Sequence, residues 1–340
     1  MLDLEAHPTL RVSRTRSLML EESLGQAFAT KRARLWPIAS ISAAGSLGRL
    51  EIAPDSDFDS IFLLESCTVT AALLDEATEC ARSVARDFGL RISKSDGIFR
   101  EAINPELLLD RNALGRLDEA PKVFGKRIQI LLDTRPLSGQ QYFYGVRRRI
   151  LDWYAWPSQN FAGEEPWEYL LSDLIRYANS YRNWQVTKIE RTADDSWALR
   201  QIKLRSTRLI TWMGLWSLIL RASERPEDGL EWLDRHLNLT PLERIAQVFG
   251  EESPRTMSEV LTRYENILSK LQNQEIRAQL VTTGLPARGE EAAHHCAEFY
   301  LISHECAGLR AALTRLPITR HESRVPGRER LNSQRLALPF

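Results

Sequence analysis

The sequence has few cysteines, no surplus of charge of either sign and no long apolar run. Its four cysteines form no Cys-x-x-Cys pair, which argues against a disulfide scaffold and favours a reducing compartment. Lysine plus arginine number 45, as do aspartate plus glutamate, so no global field would attract nucleic acid or anionic lipid. The longest apolar run, residues 209–220, is shorter than the roughly 18 residues that cross a bilayer. We therefore expect a cytoplasmic protein that does not enter a membrane and binds phosphate only locally.

The length of 340 residues fits two domains. Strand and helix patterns mix up to about residue 139, and beyond it tryptophan, arginine and leucine recur at helical intervals. These patterns predict an α+β protein, in which a small mixed-sheet domain precedes an all-helical bundle. The expected boundaries are a flexible N-terminus over 1–16, the mixed-sheet domain over 17–139, the helical domain over 140–316 and a flexible basic tail over 317–340.

Local patterns predict the individual elements. In the first half they are a helix over 17–36, strands over 38–44 and 58–64, a helix over 70–88, a strand over 90–93 and a short helix from Asn104-Pro105 to Gly115. Residues 128–132 fit a strand or a helix equally well. In the second half they are helices over 142–156, 166–191, 196–222, 227–236, 241–248, 254–271 and 290–316.

Two acids, Asp57 and Asp59, open the second strand. Because side chains alternate along a strand, both carboxylates share one face and repel each other. Aspartate is also depleted in strands, so the pair is a local cost that a counter-charge must offset. Magnesium or manganese is the natural counter-charge, since Mg²⁺ accepts carboxylate, phosphate and water oxygens as ligands. The pair therefore predicts a metal site.

Gly45 and Ser46 directly follow the first strand, with Gly48 and Arg49 just beyond. Glycine lets the backbone approach a ligand closely, and exposed amides and the serine hydroxyl can donate to phosphate oxygens. Arginine can add a charge-assisted contact. A glycine-serine bend followed by two acids on the next strand predicts a site for a nucleoside triphosphate.

These segments resemble the DNA polymerase β-like nucleotidyltransferase superfamily. Its signature is Gly-Gly or Gly-Ser, a gap of about ten residues and Asp-x-Asp flanked by apolar residues. The string GSLGRLEIAPDSDFD is closest to the bacterial subgroup typified by the PII uridylyltransferase, and LLDTRPLSG, residues 131–139, is similar to a downstream segment of those proteins. The residue after the second acid departs from the pattern, because Ser60 stands where the superfamily prefers an apolar side chain.

The resemblance implies a polymerase β-like fold with three carboxylates and two magnesium ions, and it assigns Asp57 and Asp59 to the metals. An acceptor hydroxyl would attack the α-phosphorus in line and pyrophosphate would leave. The third acid is expected on a later strand, with Asp96 as the first choice and Asp133 as the second. Asp96 also fits a turn residue before glycine, and Asp133 also fits a partner of Arg135.

The helical half contains a basic face that can serve as a triphosphate clamp. Arg200, Lys203, Thr207 and Arg208 fall opposite the apolar positions of the predicted helix, and we select Lys203 and Arg208 as nucleotide-binding candidates. The alternative is an ordinary solvated stripe. A purine base could stack on one of the tryptophans, but the sequence does not indicate which.

The sequence thus predicts an enzyme that uses Mg²⁺ (or Mn²⁺) to transfer an NMP from an NTP, such as ATP, to a hydroxyl-bearing acceptor. The acceptor is a protein, an RNA end or a small molecule. One alternative is a nucleotide-binding regulatory protein on an inactive transferase fold, and another is an antibiotic transferase of the aminoglycoside type. A nucleic-acid polymerase is disfavoured, because the chain has no extended basic segment in its folded part.

Overall fold

The computed structural model describes residues 4–316 except 54–55, 57–58, 66–68, 91–100, 117, 162–165, 193–195 and 285–295, with the backbone alone for 186–192. The strands within these residues are β1 (Ile38–Ala44), β2 (Asp59–Leu64) and β3 (Arg135–Ser138). The helices are α1 (Pro8–Lys31), α2 (Gly45–Gly48), α3 (Ala71–Asp87), α4 (Pro121–Leu132), α5 (Gln140–Asn160), α6 (Glu168–Thr192), α7 (Trp197–Arg205), α8 (Thr207–Ser223), α9 (Gly229–His236), α10 (Pro241–Phe249), α11 (Pro254–Gln272), α12 (Gln274–Thr282) and α13 (Ala297–Thr314). The predicted α+β class is confirmed.

The strands form one antiparallel sheet in the order β2-β1-β3. Ala44, the last residue of β1, pairs with Asp59, and Ala43 pairs with Arg135 on the other side. Both outer strands therefore begin beside the carboxyl end of β1. Ile103 forms a single parallel bridge with Leu63 on the free side of β2.

Both faces of the sheet are covered. The face that carries Phe62 and Leu64 packs against buried leucines of α1 and small residues of α3, where Thr70 caps the helix. The opposite face carries Ile61 and Leu63, both fully buried, and α5 packs against β1. This two-sided burial requires β1 and β2 to be apolar at successive positions, which is how the sequence reads.

The chain packs as two compact units. Among the described residues, the sheet unit lies within 11–170 and 218–240, and the helical unit lies within 4–10, 171–217 and 241–316. The sheet unit therefore includes α5, beyond the expected boundary at residue 139. The domain boundaries inferred from the sequence stay predictions.

The N-terminal helix begins earlier than the sequence indicates. The local pattern predicts a flexible segment over residues 1–16 and a helix from Ser17, but α1 starts at Pro8. The cause is Glu265 of α11, whose carboxylate accepts hydrogen bonds from the amides of Thr9 (2.7 Å) and Leu10 (3.0 Å). The first amides of a helix have no partner within it, so this distant carboxylate replaces a local cap.

The predicted helical second half is confirmed, and it differs from the prediction at Ser206. The single helix expected over 196–222 is interrupted at Ser206, whose backbone is non-helical and whose hydroxyl donates to the carbonyl of Ile202 (2.7 Å). The segment 128–132, ambiguous in the sequence, is the end of α4. Across the described part of the chain, no helix combines the length and apolarity needed to cross a membrane.

Candidate functional site

The side chain of Asp59 lies directly against Gly45. A Cβ atom added to Gly45 would fall 2.6 Å from Oδ2 of Asp59, so only a glycine leaves room for the carboxylate at this point. Gly45 also has a φ of +68°, in the left-handed region that glycine adopts without strain. The pairing of Ala44 with Asp59 produces this contact, because Gly45 is the next residue after the paired position. The bend and one of the two predicted acids are thus brought together.

Ser60, which departs from the superfamily pattern, faces away from this contact. It pairs with Ala43 and is buried on the sheet face that carries Phe62, whereas Asp59 belongs to the opposite face. The polar residue at this position therefore does not alter the surroundings of the Asp59 carboxylate.

Arg49 is the centre of a buried charge cluster. Its Nε donates to Oε2 of Glu51 (2.8 Å) and its Nη1 donates to Oδ2 of Asp133 (2.6 Å). Gln129 donates to the other oxygen of Asp133, and all three charged side chains are buried. One guanidinium thus bridges two carboxylates away from water, where removing either partner strands a charge. Arg49, expected to contact phosphate, is placed with its charge directed into the protein.

Gly48 allows the bend to approach the end of α4. A Cβ atom on Gly48 would lie 1.8 Å from the carbonyl oxygen of Asp133, a distance that no side chain can occupy. The loop is closed further by two backbone bonds, from the amide of Arg49 to the carbonyl of Gly45 (3.0 Å) and from that of Glu51 to the carbonyl of Ser46 (2.8 Å). Gly48 and Arg49 therefore fix the position of the bend through their contacts with Asp133 at the end of α4.

The two stretches that resemble the same superfamily contact each other. Arg49 and Asp133 are 84 residues apart in sequence, yet they form an ion pair, and Gly48 packs on the backbone of Asp133. Gly139, at the end of the second stretch, has a φ of +67° and passes so close to Ala39 of β1 that an added Cβ would lie 2.0 Å from its carbonyl oxygen. Residues 131–139 thus pack against β1 and against the loop that follows it.

The other predicted acids, namely Asp57 of the metal pair and the candidate third acids Asp96 and Asp133, have different outcomes. Asp57 and Asp96 lie outside the described residues, so their predicted roles stay predictions. The suggested pairing of Asp133 with Arg135 is wrong, because Arg135 pairs with Glu21 of α1 (3.1 Å) and Asp133 pairs with Arg49. The reason is the path of the chain as it enters β3, which directs Asp133 and Arg135 to different neighbours.

The predicted clamp residues lie in the helical unit. Lys203 is half-buried on α7, and the guanidinium of Arg208 on α8 lies 4.9 Å from the ring centre of Tyr181. Their predicted apolar counterparts, Ile202 and Leu209, are buried as expected. The role of Lys203 and Arg208 in binding a triphosphate stays a prediction.

Lys126 is a buried lysine that the sequence pattern does not single out. Its ammonium donates to the carbonyl of Glu101 (2.6 Å), two residues before the bridge between Ile103 and β2. Burial disfavours the charged form and lowers the pKa of Lys126 from 10.5 to about 8. In the sequence, Lys126 lies two residues before the apolar segment 128–132.

Replacing Gly45 by alanine should destabilise the protein by about 1–3 kcal/mol, because the new Cβ meets both the Asp59 carboxylate and an unfavourable φ. The matched control is Gly145→Ala in the interior of α5, where nothing lies within 4 Å of an added Cβ. This control should raise stability slightly, because alanine favours helix. Urea unfolding of the two variants measures the difference, and equal stabilities would contradict the contact.

Arg49→Met should cost about 3–5 kcal/mol, because it leaves two buried carboxylates without their cation, and Asp133→Asn should cost less, because Glu51 still pairs with Arg49. The double variant should cost less than the sum of the two, by about 1–3 kcal/mol. The exposed pair of Arg116 and Asp118 provides the comparison, since Arg116→Met breaks a pair of equal length (2.6 Å) that water solvates. Additive losses in the buried pair would show that the two residues act separately.

The lowered pKa of Lys126 makes stability depend on pH. Between about pH 8 and pH 10.5 the unfolded state binds more protons at this site than the folded state, so the free energy of unfolding should rise with pH. The slope is at most about 1.4 kcal/mol per pH unit. Lys126→Met should remove this contribution, whereas Lys122→Met, which replaces an exposed lysine on the same helix, should retain it. Parallel stability curves for the wild type and Lys126→Met would refute the assignment.

The chain matches no protein-family model and no curated protein sequence. What it does is therefore inferred from its residues and from the contact between Asp59 and the glycine-serine bend.

Proposed function

We propose that this protein is a metal-dependent nucleotidyltransferase, which moves an NMP from an NTP to a hydroxyl-bearing acceptor and releases pyrophosphate. The observation that carries the proposal is the contact between the Asp59 carboxylate and Gly45. It joins, at one point of the fold, the residue types that bind a cation and those that let a polyphosphate approach the backbone.

The residues present fit magnesium. Asp59 supplies hard carboxylate oxygens at the edge of a sheet, and the missing Cβ of Gly45 leaves space beside them. Asp59 would hold the metal together with Asp57, as the resemblance implies. Bound magnesium neutralises phosphate charge and activates the attacking hydroxyl.

The residues of the protein contribute by positioning the phosphate groups of the NTP. Gly45 and Ser46 present backbone amides and a hydroxyl to the phosphate oxygens. These donors act without rearrangement, because Arg49 and Gly48 fix the loop through their contacts with Asp133. Phosphoryl-type transfer requires little covalent chemistry from the protein and depends on alignment of the attacking and leaving oxygens. A bend held by buried ion pairs is suited to that task.

Two further features support the proposal. The two stretches that resemble the superfamily form one structural unit through Arg49 and Asp133, as expected if both belong to the same site. Ser60, the departure from the pattern, faces the core on the other side of the sheet from Asp59. Neither feature favours the alternative of a nucleotide-binding regulatory protein over an active transferase.

The test is transfer from each NTP labelled at the α-phosphate, incubated with the protein, magnesium and a fractionated lysate. Asp59→Asn keeps the volume but removes the charge, and it should lower transfer by about 100- to 1,000-fold. Asp75→Asn, which replaces an exposed acid on α3 of the same unit, is the matched control and should transfer normally. The fraction that carries the label identifies the acceptor as protein, RNA or small molecule.

Full transfer by Asp59→Asn would overturn the proposal. Tight magnesium-dependent NTP binding with label on no acceptor would instead favour a nucleotide-binding regulatory protein. Removing magnesium with a chelator should abolish transfer in the wild type, and restoring magnesium or manganese should recover it.

A further inference from the structure

The helical unit contains a local excess of positive charge that the neutral net charge conceals. From Ser196 to Ser217 the sequence has no acidic residue, and it has four basic ones, namely Arg200, Lys203, Arg205 and Arg208. An anion that approaches this region therefore meets cations in succession along the chain.

Two of these cations contact α6, and a third lies beside one of them on α7. The guanidinium of Arg208 lies 4.9 Å from the ring centre of Tyr181, and Arg200 donates to the side chain of Gln185 (3.2 Å), the residue after Trp184. Lys203 lies one helical turn after Arg200 and shares its side of α7. We call Tyr181, Trp184, Arg200, Lys203 and Arg208 the basic aromatic face.

Trp184 is the unusual member of the basic aromatic face. It is 52% exposed, although tryptophan is among the residues with most to gain from burial. Its ring lies 5.9 Å from Tyr181, which in turn contacts Tyr177 and Trp212, each at 6.2 Å. The exposed indole therefore packs on a cluster of aromatic rings. This packing limits the side-chain rotamers of Trp184, so a ligand would lose less entropy in ordering it.

We propose that the basic aromatic face binds single-stranded nucleic acid. Arginine and lysine side chains contact the phosphates, and an unpaired base stacks on Trp184. A duplex keeps the faces of its bases within its own stack, so it cannot use the indole. An acidic peptide would satisfy the cations but has no planar group that requires an exposed tryptophan beside them. The cations together with the exposed indole therefore favour a nucleic-acid strand whose bases are accessible.

This inference goes beyond the proposed transferase activity. Every contact that carries it belongs to the helical unit, and binding needs neither NTP nor metal. Its failure would leave transfer at Asp59 unaffected, and the loss of transfer in Asp59→Asn would leave strand binding unaffected.

The experiment is fluorescence anisotropy of labelled oligouridylate of about 12 nucleotides, titrated with the full chain in magnesium-free buffer over a range of salt concentrations. We expect Trp184→Ala to weaken binding about 10-fold or more without changing the dependence on salt. Arg200→Gln combined with Lys203→Gln should make the salt dependence shallower, by about 0.7 for each phosphate that the protein no longer neutralises. Circular dichroism verifies that each variant is folded.

The matched controls lie in the sheet unit. Trp36→Ala removes a tryptophan that is 65% exposed, and Arg34→Gln with Arg86→Gln removes two exposed arginines. These variants should bind the oligonucleotide as the wild type does. Absence of binding at low salt, an equal loss in Trp36→Ala, or tighter binding of duplex than of single strand would overturn the proposal. Equal binding of an acidic peptide that depends on Trp184 would overturn it in favour of a polypeptide ligand.

Discussion

The buried ion pair between Arg49 and Asp133 is the interaction on which the candidate site depends. It joins the loop after β1 to the end of α4, and it does so where neither charge can be satisfied by water. A buried pair adds little net stability compared with apolar residues, but half of a pair is very unfavourable. The pair therefore specifies one arrangement of the loop, and Glu51 and Gln129 complete the set of partners that this arrangement needs.

This use of Arg49 changes the role that the arginine can have in the proposed phosphate site at the glycine-serine bend. An arginine next to a glycine-serine bend suggests a direct contact with phosphate, but here its hydrogen bonds are directed to Glu51 and Asp133. In the proposed function, the groups that would contact a phosphate are then the backbone amides and serine hydroxyl of the bend and a metal ion bound by the acids. The two glycines follow from the same constraint, since Gly45 makes space for Asp59 and Gly48 lets the loop reach the backbone of Asp133.

The sequence predicts what local patterns determine. Strand β1 occurs at the predicted residues, Thr70 caps α3 at the predicted start of that helix, and the second half is helical as predicted. Two of the failures share one cause, which is a contact between distant residues. Glu265 extends α1 towards the N-terminus, and the partner of Asp133 follows from sheet topology, which no spacing along the chain reveals. Within the site, the approach of Asp59 to Gly45 is predictable because it needs only two adjacent strands.

A chain with no net charge must concentrate positive charge wherever it binds an anion, and this protein places its cations in two contrasting environments. In the sheet unit, Arg49 is buried with two acids, so its charge serves the fold. In the helical unit, Arg200, Lys203 and Arg208 follow one another with no acidic residue between them in the sequence, so this segment carries charge of one sign. Burial with acids fixes the position of a cation and its neighbours, and clustering of cations along the chain attracts anions.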